Sequence, residues 1–317
     1  MRRSHSLFAV ALITTLGFTG AGARAQKHNT GVSPPTAPPQ KPPTPQQPVV
    51  AVSSGTGALQ ITAVNFGVPA PQSLTRQLEA DDERTRGAAL AAIGAPGQYL
   101  NRGHIPYAHS IQLDFAALGT NDELDAILTA ELDQHLVSAI LVPDEGNWHR
   151  VASIVFPTPF YDPTTTPATF LRTARSFQQP SRYRAIYHSY MPGANGDYVE
   201  NEAHVNVLNG KAVVTISFVS NSRTCEVAAK PSKSGCDLVQ RWLQADPADP
   251  NHRFLLVSAT GRLSDKDIAD PLNKARTFQS AHLRNFACQP FYFSEAAQRY
   301  EPIAASAPCV VPQQAPK

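Results

Sequence analysis

The sequence predicts an α+β fold rich in β structure. Its sheets are mostly antiparallel, with a helical N-terminal segment, a C-terminal helix and disulfide staples. Three observations carry the prediction. Short runs of β-branched and aromatic residues follow one another, with polar turns between them. Helix punctuation is confined to the stretch before His104, to residues 166–177 and to residues 270–286. Strands that follow strands, without a helix after each one, favour antiparallel meanders over a doubly wound parallel sheet.

The chain of 317 residues opens with an export pattern. Arg2 and Arg3 precede an apolar stretch from Leu7 to Phe18, and Ala23-Arg24-Ala25 fits the small-x-small cleavage rule. Residues 1–25 are therefore expected to be a signal peptide cleaved between Ala25 and Gln26. A transmembrane anchor is not expected after cleavage, because a span needs about 20 apolar residues. Cleavage would remove three arginines and no acid, leaving 24 basic residues against 25 acidic ones. A near-neutral chain lacks the basic footprint of a nucleic-acid binder, so no nucleic-acid partner is expected. The expected location is extracytoplasmic, either periplasmic or secreted.

Residues 26–48 hold eight of the chain's 28 prolines. Proline fixes φ and removes the backbone donor, so this stretch is expected to be an extended, disordered tether. A mainly helical segment is expected over 49–103. Ser73 is a capping residue there, Leu74 and Leu78 share a face, as do Ala89 and Ile93, and Gly94 with Pro96 ends the run.

A first β-rich block with a connecting helix is expected over 104–180. Its strands are "HSIQLDFAAL", "LDAILTAEL", "HLVSAILV" and "WHRVASIVF", separated by "GTNDE", Asp133-Gln134 and "PDEGN". Thr166, Pro167 and the apolar face Phe170, Leu171, Ala174 and Phe177 predict the helix. A second β-rich block is expected over 181–317. It begins with "RYRAIYHSY". A hairpin then turns at Asn209-Gly210, the pair that a type I′ turn favours. Another hairpin contains Trp242, and a last helix runs from Asp270-Pro271 to about Phe286.

The cysteines are four, an even number in a chain that reads as exported. Sequential pairing, Cys225–Cys236 and Cys288–Cys309, is the simplest of the three connectivities. Each bridge would close a short loop, worth about 3 kcal/mol in the chain-entropy model. The spacings do not suit the tight pairs of a four-thiolate zinc site.

The acids of "LDFAALGTNDELDAIL" allow two readings. One is a solvated turn between strands. The other is a calcium loop, with Asn121, Glu123 and Asp125 at alternate positions. Ala126 then stands where the turn needs Gly, and Leu132 where a bidentate acid belongs. The stretch "QLDFAALGTNDELDAILTAEL" resembles the strand-turn-strand unit of FG-GAP or VCBS-type secreted β-repeat proteins, a likeness covering about residues 104–156. It implies an acid-rich, calcium-capable loop before a strand. "EADDERTRGAALAAIG" is similar to one helix pair of a HEAT-type repeat, over residues 73–95. No second copy follows it to build a solenoid.

For chemistry, the sequence lacks G-x-S-x-G, a P-loop and a dinucleotide fingerprint. "ENEAH", Glu200 to His204, lacks the second histidine of a zincin helix and runs into a strand. Tyr183, Tyr187, His188 and Tyr190 lie along one strand, and such aromatics serve either a core or a sugar- or protein-binding face. The chain therefore reads as an exported, non-catalytic binding or envelope-associated protein, with a protein or glycan ligand and no cofactor beyond the calcium reading. The alternative is a secreted hydrolase whose site is assembled from Asp122, Glu123 or Asp125 with His104 or His109.

Overall fold

A computed structural model describes residues 59–63, 65–101, 103–119, 123–157, 166–193, 197–226, 235–249, 253–264, 283–304 and 309. Contacts separate residues 1–47 from the unit 48–317, to which all the described residues belong. Ala25 and Gln26, the proline-rich segment, Asn121, Asp122 and most of the helix expected over 270–286 lie outside the described residues.

The described residues form two antiparallel sheets with a few helices. The first sheet holds β1 (Gln60–Thr62), β2 (Phe66–Val68), β3 (Ser110–Ala116), β4 (Asp125–Leu132), β5 (His135–Asp144) and β6 (Asn147–Pro157). Their order is β1-β6-β5-β4-β3, with β2 also on β6. The strands β3 to β6 fall where the four quoted runs predict them. β1 and β2 add to β6 from within the segment expected to be mainly helical.

The second sheet is one meander of eight strands in sequence order. These are β7 (Leu171–Arg175), β8 (Tyr183–Pro192), β9 (Tyr198–Leu208), β10 (Lys211–Glu226), β11 (Gly235–Ala245), β12 (Arg253–Ser264), β13 (Leu283–Ser294) and β14 (Arg299–Pro302). Asn209 and Gly210 turn β9 into β10 with φ of 51° and 69°, the left-handed pair that the hairpin requires.

Two expectations about helices need correcting. The run 166–177 is helical only over α4, Pro167–Phe170, and continues as β7. Leu171 to Arg175 pair with Tyr187 to Tyr183 of β8, so their backbone groups are satisfied by a sheet and not by a helix. Likewise, Leu283 to Phe286 belong to β13, on the long edge of β12. In the first helical pair, α1 (Pro71–Leu78) starts at Pro71 with Pro at its first turn, ahead of Ser73. Asp82 caps α2 (Glu83–Ile93) by accepting from Thr85 N at 2.9 Å, and Gly94 closes it in the left-handed region. A short α3 (Gly97–Leu100) follows.

Why the first sheet reads as nearly continuous apolar sequence is clear from its two partners. One face, with Leu128, Leu132, Val137 and Leu141, packs on Leu74, Leu78, Leu90 and Ile93 of the helices. The other, with Ile127, Leu136, Ile140 and Phe156, packs on Phe170 of α4 and on Ala185, Tyr187 and Val205 of the second sheet. Phe156 stacks on Phe170, which meets Tyr187 edge-on at 5.4 Å. Burying each such ring contributes on the order of 2 kcal/mol. Arg86, 1% exposed, fastens the helices to the next loop by donating to the carbonyls of Ala80, Asp81 and Ile105.

The second sheet turns its other face inward on itself. Phe177, Phe218, Phe254, Phe291 and Tyr300 cluster there, and β14 comes against β10. Two disulfides pin the far end. Cys225–Cys236 joins directly opposed positions of β10 and β11, and Cys288–Cys309 ties β13 to the tail. These are the sequential pairings that the spacing favours.

Candidate binding cleft

Alternation along β8 divides its side chains. Ala185 and Tyr187 face the first sheet, while Arg184, Ile186, His188 and Tyr190 face the other way. The β8–β9 register sets Tyr190 opposite Glu200, His188 opposite Glu202 and Ile186 opposite His204. The motif Glu200-x-Glu202-x-His204 therefore presents all three side chains on one face, beside His188. On β10, a bulge between Val219 and Asn221 moves Asn221 opposite Glu200. Its Nδ2 donates to Glu200 Oε2 at 2.6 Å.

A cleft of about 470 Å³ opens over this face, beside α4. Its wall includes Thr169, Arg172, His188, Tyr190, Glu200 and Asn221. Below it lies one connected polar cluster centred on Glu202, which is 8% exposed. His204 Nε2 lies 2.5 Å from Glu202 Oε1. Arg172 Nη2 donates to Glu202 Oε2 at 3.1 Å. His188 Nδ1 stands 3.6 Å from the same oxygen, too far for a hydrogen bond.

The tautomers follow from the donors. A guanidinium nitrogen only donates. Arg184 Nε donates to His204 Nδ1 at 3.0 Å, so that ring carries its proton on Nε2 and gives it to Glu202. Arg172 Nε donates to His188 Nε2 at 2.8 Å, so that ring carries its proton on Nδ1 and turns it toward Glu202. Two arginine-to-histidine pairs thus converge on one carboxylate, and both rings are neutral.

Electrostatics agree with this assignment. Burial lowers His204 and His188 below the ordinary imidazole range, against the pull of Glu202. Burial pushes the Glu202 carboxyl up, but the hydrogen bond from His204 and the electrostatic attraction of the His204 and His188 N–H groups and of Arg172 outweigh it and hold it at about 2. Burial brings Arg184 down to about 10, so it keeps its charge at neutral pH. Its guanidinium also lies 3.9 Å from the centre of the Phe177 ring, a cation–π contact.

The residues singled out in the sequence go elsewhere. Asp125 is fully buried, and its Oδ2 accepts from the backbone N–H of Leu118 and Gly119 at 2.9 and 2.7 Å. Burial raises its carboxyl. Glu123 is exposed at the turn. His104 pairs with Glu83, and His109 Nε2 lies 2.9 Å from Asp133 Oδ1. The structure therefore gives these histidines carboxylates other than Glu123 and Asp125. Among the described residues, no group of three His, Cys, Asp or Glu could hold a metal ion. Also among them, no helix is long and apolar enough to cross a membrane.

Arg172 and Arg184 were not marked by any sequence motif, and Glu202 stood only within "ENEAH", weighed as a helical metal motif. The signal for Glu202 is the two-residue spacing of Glu200, Glu202 and His204, read as a strand and not as a helix. Compared with known proteins, the chain matches no protein-family model, and no curated protein or solved structure is significantly similar to it.

Proposed function

We propose that the chain is an exported, non-catalytic binding protein, and that the cleft over β8, β9 and β10 takes its ligand. One observation carries the reading. Both ring nitrogens of His204 are engaged, by Arg184 and by Glu202. His204 therefore offers no nitrogen for moving a substrate's proton, which general acid–base catalysis needs. His188 Nε2 accepts from Arg172, and its Nδ1 faces Glu202 at 3.6 Å without a hydrogen bond. The cluster instead fixes a rigid polar floor, the preorganisation that favours binding. Extracytoplasmic residence is part of the proposal. It is supported by the leader pattern and by the two disulfides, which persist outside the reducing cytosol.

Hydrogen exchange tests this reading. The purified protein is mixed with an extract of the exported fraction. Added protection of the amides of 188–190 and 200–202, with no turnover of extract components, is the expected result. Protection confined to other strands, or product formation, would overturn it.

A further inference from the structure

We infer that the cleft recognises a neutral saccharide, an inference that rests on the binding reading above. Charge is the first argument. Arg172 and Arg184 are matched by Glu200 and Glu202, so the site as a whole has no net charge with which to hold an ionic ligand. A phosphate or carboxylate drawn to Arg172 would meet the two acidic side chains of β9, and like-charge contacts of that kind are costly.

Chemistry is the second. The wall holds an acceptor, Glu200, bonded to the donor Asn221, together with the donor Arg172 and Thr169. Vicinal hydroxyls of a sugar ring each donate and accept, so adjacent hydroxyls can bridge such mixed partners. Carboxylate, amide and guanidinium groups are planar and hydrogen-bonded in place before any ligand arrives. Arg172 is braced by His188 and Glu202, and Glu200 by Asn221.

Shape is the third. Tyr190 contributes an aromatic ring to the wall, against which the C–H face of a sugar can lie. It packs at 5.6 Å on Tyr198, which is 2% exposed, so the ring rests on buried structure. The volume of about 470 Å³ is that of a small-ligand site. An extended peptide would need apolar holes for alternate side chains. Among the described residues, Ala168 is the single aliphatic one of this wall.

Titration with cellotriose, maltotriose and tri-N-acetylchitotriose, followed by hydrogen exchange at 188–190 and 200–202, tests the inference. The same exchange is run with exported-fraction extract before and after periodate, which cleaves vicinal diols, and after protease. Protection by any of the three trisaccharides supports the inference, as does extract protection that periodate abolishes. Cleft protection that survives periodate and is lost to protease overturns it in favour of a peptide, while the binding reading stands. No cleft protection under any condition overturns both. Two variants locate the effect. Glu200→Gln keeps size and loses the charge, and Arg172→Lys keeps charge and loses the fork. Each is expected to weaken saccharide binding about tenfold, the effect of losing one charge-assisted hydrogen bond. Unchanged affinity in both variants would place the saccharide elsewhere and overturn the assignment.

Discussion

His204 Nε2 donates to Glu202 Oε1 across 2.5 Å, two residues apart on one face of β9, with the histidine 1% exposed. The pair organises the cleft floor because each partner has a second obligation. His204 accepts from Arg184, and Glu202 accepts from Arg172. Removing one member leaves a charge or a donor without its counterpart in a place that water reaches poorly.

Glu202→Ala is therefore expected to cost about 3 kcal/mol, the low end of the range for breaking a buried ion pair, since Arg172 is largely exposed and can rehydrate. Glu202→Gln keeps an acceptor for His204 and should cost less. Urea unfolding of the two variants measures both. Equal losses would show that packing, and not the network, holds this region.

Stability should fall on acidification below the ordinary imidazole value of 6.5, and it should be flat above it. The sign follows from linkage. His188 and His204 titrate lower in the folded chain than in the unfolded one, so below 6.5 the unfolded state binds more protons. Burial gives His135 the same sense. Glu202, held at about 2, adds stability above its ordinary value of 4.5 that is lost as pH falls through about 2. The raised carboxyl of Asp125 works the other way and gains as it protonates. Melting temperatures across this range, with His204→Gln as the comparison, should show a shallower acid limb in the variant.

Replacing Cys225 and Cys236 together by serine should destabilise the folded chain by about 3 kcal/mol, from release of the short loop in the unfolded state. The same holds for Cys288 and Cys309, whose loop spans 21 residues. Calorimetry of the oxidised chain against each double variant gives the difference. A null effect for either pair would mean that the unfolded chain is already constrained there.

Two glycines separate backbone strain from crowding. Gly94 has φ of 82°, and a Cβ there would sit 2.6 Å from Ser153 Cβ. Gly210 has φ of 69° with open space around it. Gly210→Ala should cost about 1 kcal/mol, from the left-handed conformation alone. Gly94→Ala should cost clearly more, because β6 must also move. Chemical denaturation of the two variants ranks them, and a reversed order would contradict the close packing of α2 on β6.

Much of the sheet structure was legible because turns and alternation are local. Asn209-Gly210 marks its hairpin without help from the rest of the chain, and Asp133-Gln134 separates β4 from β5 in the same way. The helix expected over 166–177 failed for a nonlocal reason. Phe170, Leu171, Ala174 and Phe177 do have helical spacing, yet Leu171 packs between the sheets and Phe177 stacks on Phe254 of β12. Only the pairing of β7 with β8 decides between the two, and no local pattern reports it. The site was half legible. "ENEAH" was visible as a cluster, but its partners Arg172, Arg184 and His188 join through cross-strand register, which the sequence leaves open.

Long-range proton–nitrogen NMR of the side-chain imidazoles at neutral pH tests the account most directly. It predicts two neutral rings of opposite tautomer, with the proton on Nδ1 in His188 and on Nε2 in His204. A charged imidazolium at either position, or a His204 protonated on Nδ1, would contradict it. Such a ring would have a mobile proton at the cleft floor, which suits catalysis and not a fixed binding wall.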